Sequence, residues 1–289
     1  MAFADGDPAA GGDASGGAPA TPAAPAATTT AAPAAGGDWM QLDQRPLLIP
    51  TGKLAIDAIV PFFAVHTIEI DPTTGQESDS TDLSIGASVA VNYGVNDKLE
   101  VGGGYAFNLK DFDATGTLYG HGAYLVSHTD KMDIGVAAAL SFDLHSSGDV
   151  DLAAGAWIRY RLAPKLTLFT GQPAMIPDLP VGGFGGFIGP TGYQFTANLN
   201  NGNAVELGIP VGVGYQATPN VWVYGQTLLA NLVLNGGGDN AFIFSDFIPI
   251  TLGAWYSMDK LDVGASFGDD LKNAGDFYAI TLNARYWVK

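Results

Sequence analysis

The chain has 289 residues, of which 47% are hydrophobic and only 14% charged, with 39 glycines, no cysteine and a formal net charge of −17. Without cysteine there are no disulfides or thiolate metal sites, and an acidic chain with no basic stripe argues against nucleic acid as a partner. No run approaches the ~18 apolar residues of a membrane helix, since the longest candidate, Leu54 to Val65, is broken by Asp57 and Pro61.

Residues 1–45 are nearly all Ala, Pro, Gly, Thr and Asp, with almost nothing to bury. Such a segment cannot offset its own ordering entropy, so it reads as a disordered tail, partly extended by proline. Its start, Met1-Ala2-Phe3-Ala4 before Asp5, has the look of an A-x-A cleavage site without its hydrophobic region, which suits a mature or re-engineered beginning. The composition changes around Gln44 to Gly52, and residues 46–289 form the second unit.

From there the chain alternates with period two. Leu83, Ile85, Ala87, Val89, Val91, Tyr93 and Val95 alternate with Ser84, Gly86, Ser88, Ala90, Asn92 and Gly94. The pattern returns over Met132–Asp143 and again over Val205–Gln216. Successive side chains of a strand point to opposite faces, so each segment has one oily face and one small, polar face. A soluble sandwich needs large apolar groups pointing inward at close-packed density. Glycine, serine and asparagine suit a lumen instead, so the oily face meets lipid and the small inward residues favour an open interior. A bilayer leaves no partner for an open strand edge, so the spanning structure must be a closed barrel.

A short motif punctuates the strands: Asn96-Asp97-Lys98-Leu99, Thr129-Asp130-Lys131-Met132 and Met258-Asp259-Lys260-Leu261, with looser copies at Ala163–Leu166 and Thr218–Val221. Each is a tight turn followed by a strand. Longer Gly/Asp/Asn-rich connections fall near 70–80, 109–115, 144–149, 171–203, 235–242 and 268–275. Five short turns and six long loops give an all-β fold of about twelve antiparallel strands with both termini on the short-turn side. The segments near 53–68 and 221–234 alternate poorly, which suggests bulges and leaves their faces unassigned.

The last strand, Phe277 to Val288, sets Tyr278, Ile280, Leu282, Ala284, Tyr286 and Val288 against Thr281, Asn283, Arg285 and Trp287. Over residues 46–289 the chain resembles bacterial outer-membrane β-barrels of the porin type. The resemblance is one of architecture, and no motif names a particular transporter. It implies an outer-membrane location, short turns and both termini in the periplasm, insertion by the barrel-assembly machinery, and passive passage of small solutes. Lys289 departs from it, standing where the family usually ends on an aromatic.

Lys53, Lys98, Lys131, Lys165, Lys260 and Lys289 fall at short-turn ends, while acids such as Glu69, Glu77, Asp79, Asp82, Asp239 and Asp269 favour the long loops. An acidic outer mouth would concentrate cations. The same acids could equally serve only to solubilise the loops and bridge divalent cations to anionic lipid.

The pore-lining candidates are Glu100, Asp133, Glu206 and Asp262 with Arg159, Arg161, Asn283 and Arg285. Regular pairing puts Asp133 near Arg161 or Arg159, and Asp262 near Arg285. Opposed charges of this kind either set a transverse field that selects solutes or simply tie strands together. Within the 171–203 connection, Phe184, Phe187 and Tyr193 are candidates for a constriction folded into the lumen, the alternative being packing against neighbouring loops. Tyr93, Tyr105, Phe107, Tyr124, Tyr160, Tyr215, Trp255, Tyr256 and Tyr286 cluster near strand ends and read as interfacial girdles.

Gly264-Ala265-Ser266-Phe267-Gly268 matches the G-x-S-x-G pattern of esterases, but that elbow needs a strand-turn-helix context, and here it falls within a strand. The four histidines are scattered, with no metal-ligand spacing. The reading is a channel with no catalytic residue, metal or cofactor. Its rivals are a structural barrel whose tail tethers a periplasmic partner or whose loops bind outside the cell, and an outer-membrane hydrolase.

Overall fold

The computed structural model describes residues 45–70, 73–109, 116–144, 150–170, 195–198, 204–235, 241–243, 249–272, 274–275 and 277–288. The tail of residues 1–44 lies outside them. The strands are β1 (Leu54–Ile70), β2 (Glu77–Asn96), β3 (Leu99–Asn108), β4 (Thr117–His128), β5 (Met132–Asp143), β6 (Val150–Ala163), β7 (Leu166–Thr170), β8 (Phe195–Asn198), β9 (Ala204–Thr218), β10 (Val221–Asn235), β11 (Ala241–Ile243), β12 (Pro249–Ser257), β13 (Leu261–Asp270) and β14 (Phe277–Val288).

These fourteen segments make twelve staves. Strands β7 and β8 both lie between β6 and β9 and share one stave, and β11 and β12 both pair with β10 and share another. Every neighbouring pair is antiparallel, and β14 pairs with β1 from Leu54↔Val288 to Val65↔Phe277, closing the ring without an edge. The repeated turn motif explains the hairpins at one end. In both Thr129–Met132 and Met258–Leu261 the first amide donates to the fourth carbonyl at 2.8 Å, so the same residues close the same turn. In a third copy, Lys98 N donates to Asn96 Oδ1 at 2.8 Å.

Outward residues are apolar: Val89, Val91, Leu118, Val136, Leu140, Leu252, Ile280 and Leu282 are all exposed. In water such a surface would drive aggregation, whereas against hydrocarbon it is the favoured arrangement. Staves of about ten or more residues are long enough to cross a bilayer when tilted.

A ring of tyrosines marks one boundary of this band. Tyr93, Tyr124, Tyr160, Tyr215, Tyr256 and Tyr286 are 39–48% exposed. Each stands opposite the first residue of the preceding up-going strand: Leu54, Leu99, Met132, Leu166, Val221 and Leu261 in turn. Every strand running toward the short turns therefore contributes one tyrosine at one level, where an amphipathic ring suits the headgroup region. The closed barrel, the apolar band and this girdle together define a transmembrane β-barrel of the outer-membrane type.

Of four details, three differ from the sequence reading and the β10 bulge agrees with it. The connection near 70–80 is shorter than expected, because β1 runs to Ile70 and β2 starts at Glu77. The β1 registers with β2 and β14 show no shift, so its poor alternation comes from Ile59, Pro61 and Phe63 pointing inward beside Ala55 and Asp57 rather than from a bulge. In β10 an irregularity does occur, between Leu228 and Ala230 opposite Pro210, a residue with no amide to donate.

The fourth concerns the interior, which is not lined by small residues alone. Trp157, Trp222, Trp255 and Trp287 are only 0–7% exposed and point inward, so Trp255 is not a girdle residue. Their bulk is matched by glycine on the neighbouring strand: a β-carbon on Gly135, Gly214 or Gly264 would overlap Trp157, Trp222 or Trp255. Ile59, Phe63, Ala90, Ala106, Tyr119, Trp222, Trp255 and Ala279 form one apolar cluster inside the barrel, with Tyr224 packed against it. The glycines read as a lumen lining are the sockets that let aromatic residues fill it.

Candidate functional site

Eight charged side chains of the interior gather near the short-turn end, while Asp270 is buried at the long-loop end of β13. Asp133, the second residue of β5, faces Arg159 across β5–β6. Arg159 Nε and Arg161 Nη2 both donate to Asp133 Oδ2 at 2.8 Å, and His128 bonds its other oxygen. The two arginines share a face of β6, so period-two spacing is what brings both to one carboxylate.

Asp57 faces Arg285 across β1–β14, and the guanidinium forks onto it with Nε to Oδ1 and Nη2 to Oδ2, both at 2.7 Å. This bidentate geometry is the strongest form of the pair. Asn92 Nδ2 adds a donor to Asp57 Oδ2 at 2.6 Å. Asp262 also faces Arg285, across β13–β14, as the sequence suggested. Yet Arg285 gives its hydrogen bonds to Asp57, and Asp262 is served instead by Arg45 Nη1 at 2.5 Å and by the Trp287 indole N–H at 2.9 Å. The sequence reading missed this because the face of β1 carrying Asp57 had not been assigned.

Arg45, a tail residue by composition, is buried inside the barrel at the start of a segment without regular structure, Arg45–Pro50, that precedes β1. The Arg45 carbonyl accepts from Arg159 Nη2 at 2.7 Å. Leu48 packs with Ala123, Ala137 and Trp157, and Ile49 with Ala55 and Trp287. The Ile49 amide donates to Glu100 Oε2 at 2.6 Å, and His121 Nε2 lies 3.7 Å from Glu100 Oε1. Thr51 then reaches the rim, bridging Gly94 and bonding Asp97 in the first short turn. Burial lowers the pKa of Arg45, and the nearby Asp262 carboxylate opposes that shift.

Of the candidates named from sequence, Glu100, Asp133, Arg159, Asp262 and Asn283 are buried inside, with Arg161 and Arg285 partly so. Glu206 lies on β9 opposite Val233, and its side chain is outside the described residues, as are Phe184, Phe187 and Tyr193. Ser266 of the G-x-S-x-G segment lies within β13, between Gly253 of β12 and Thr281 of β14, and hydrogen-bonds Tyr224. Strand continues on both sides of it, so no nucleophile elbow is formed there. Among the described residues no group of three or more His, Cys, Asp or Glu could hold a metal.

No protein-family model and no curated protein matches the sequence. Among solved structures the chain is similar to the KdgM porin, with 6% identity, 80% of this chain and 99% of that one covered and a TM-score of 0.49. It is likewise similar to an outer membrane channel from Pseudomonas putida F1, at 13% identity, 85% and 98% coverage and a TM-score of 0.45. The NanC porin follows at 8% identity, 79% and 98% coverage and the same TM-score of 0.45. The architecture resembles that of outer-membrane porins and channels, and no particular family is established.

Proposed function

We propose that this barrel is a channel of the bacterial outer membrane for small solutes, with its short turns and both termini facing the periplasm. The observation that carries the reading is a single edge-free ring that is apolar outside and bears its charged residues inside. Eight charged groups are held inside by ion pairs and hydrogen bonds, and an interior of this kind offers a solute the charged lining from which channels draw selectivity. We further infer a preference for cations. Glu77, Asp79 and Asp82 are exposed toward the long-loop end, while Lys53, Lys98, Lys131, Lys165 and Lys260 ring the other. Passage needs no cofactor and no catalytic residue. Swelling of proteoliposomes in sugars of graded size tests the channel, and reversal potentials under a salt gradient test the cation preference.

One observation favours a second reading, a barrel whose role is structural or tethering. The segment Arg45–Pro50 and the inward tryptophans occupy much of the short-turn half of the interior. Proteoliposomes that hold folded protein yet swell in no sugar would support that reading over the channel.

A further inference from the structure

We propose that Arg45–Pro50 is a removable gate, and that Arg45 makes the opened passage cation-selective by leaving it; this rests on the channel reading above. The geometry is that of a strap across a diameter. Going round the ring, β13 and β5 are six staves apart in a barrel of twelve. The strap touches both sides, with Arg45 on Asp262 of β13 and Leu48 in one apolar cluster with Ala123, Ala137 and Trp157 of β4, β5 and β6. Its backbone is also held from the wall, by Arg159 at the Arg45 carbonyl and by Glu100 at the Ile49 amide. A solute travelling the axis meets this segment before it reaches the short-turn mouth.

The strap is held by side-chain contacts rather than by the ladder. Apart from the bridge of Thr51 to Gly94 at the rim, none of its described residues belongs to a strand. Withdrawing it therefore breaks a few polar bonds and empties two apolar sockets, those of Leu48 and Ile49, while every stave keeps its neighbours. A wall strand could not leave without exposing an edge.

The charges supply the second half. Among the described residues the wall presents at this level four carboxylates, Asp57, Glu100, Asp133 and Asp262, and three guanidiniums, Arg159, Arg161 and Arg285. The fourth guanidinium, Arg45, belongs to the strap. With the strap in place the charges balance; with it withdrawn the wall carries one net negative charge, centred on Asp262. In a narrow passage with low-dielectric walls that charge is weakly screened and favours cations.

The absence of cysteine gives a clean test. A full-length Leu48→Cys/Ala137→Cys chain, oxidised, pins the strap to the wall. Planar-bilayer current through it should stay at or below the parent level and rise on reduction. A full-length Arg45→Gln/Leu48→Gln chain, which loses both the ion pair and the apolar plug without adding a charge, should conduct several-fold more than the parent, with its reversal potential moved toward the cation value. Adding Asp262→Asn should take most of that movement back. Equal current with the disulfide closed and open, or no gain in the released variant, overturns the gate. A gain in current without a change in selectivity overturns the role of Arg45.

If no variant passes current although each is folded by gel mobility, the channel reading is what fails. The strap is then judged by labelling of a single Leu48→Cys with a water-soluble thiol reagent. Faster labelling when Arg45→Gln is added supports a removable strap, and an unchanged slow rate rejects it.

Discussion

Trp157 stands directly opposite Gly135 across β5–β6, its ring occupying the volume a β-carbon on that glycine would need. The pair belongs to a set, with Trp222 beside Gly214 and Trp255 beside Gly264, in which each large residue is accommodated by the absence of a side chain on the next strand. Adding the missing atom should therefore be worse than its small size suggests. Gly135→Ala is expected to destabilise the barrel by about 1–3 kcal/mol, the usual cost of overpacking. Shrinking the partner in a Gly135→Ala/Trp157→Leu double variant should recover part of that loss, as read from urea unfolding in lipid vesicles.

The Asp57–Arg285 fork is a nearly buried pair, so single substitutions strand a charge. Arg285→Gln alone should cost about 3–5 kcal/mol, whereas Asp57→Asn with Arg285→Gln should cost much less. A double-mutant cycle on unfolding free energy reads this directly, and additive losses would mean that the two groups act independently.

Arg159 and Arg161 share the Asp133 carboxylate, so neutralising both leaves that acid with His128 as its remaining partner. Reversal potentials for Arg159→Gln/Arg161→Gln should move toward cation permeation. Unchanged potentials would mean that the trio ties strands together without touching the solute path.

Leu282 lies four residues from the girdle tyrosine Tyr286 on the same outward face and is 54% exposed. A charge there sits well inside the hydrocarbon, and Leu282→Arg should cost about 2–4 kcal/mol of folding free energy in vesicles. If this face met water instead, the substitution would be close to neutral.

The tyrosines of the girdle were legible in the sequence because both their signals are local: an amphipathic ring, and a place near the end of a strand; burial alone removes Trp255 from that set. The ring of strands was legible for the same reason, since alternation and turn residues repeat along the chain. The inner faces were harder. Where both faces of a strand carry apolar residues, as in β1 with Ile56 and Val60 outside and Ile59 and Phe63 inside, period two carries no contrast and the face cannot be read. That ambiguity hid Asp57, and with it the true partner of Arg285. The place of Arg45 was hidden differently, because its contacts with Asp262 and Arg159 lie 217 and 114 residues away and no local pattern encodes them.

The closure of β1 onto β14 joins residues from opposite ends of the barrel sequence, such as Leu54 with Val288. Without β14 the sheet keeps two bare margins, so a chain shortened by that strand is a template for misassembly. When the margins do meet, sliding by two residues would preserve inside and outside yet bring Asp57 against Asn283 or Trp287. Such a slip would leave Arg285 facing Ile59 or Ala55 with no carboxylate across the seam. The seam thus carries its own proofreading mark, an electrostatic key that fits at one alignment.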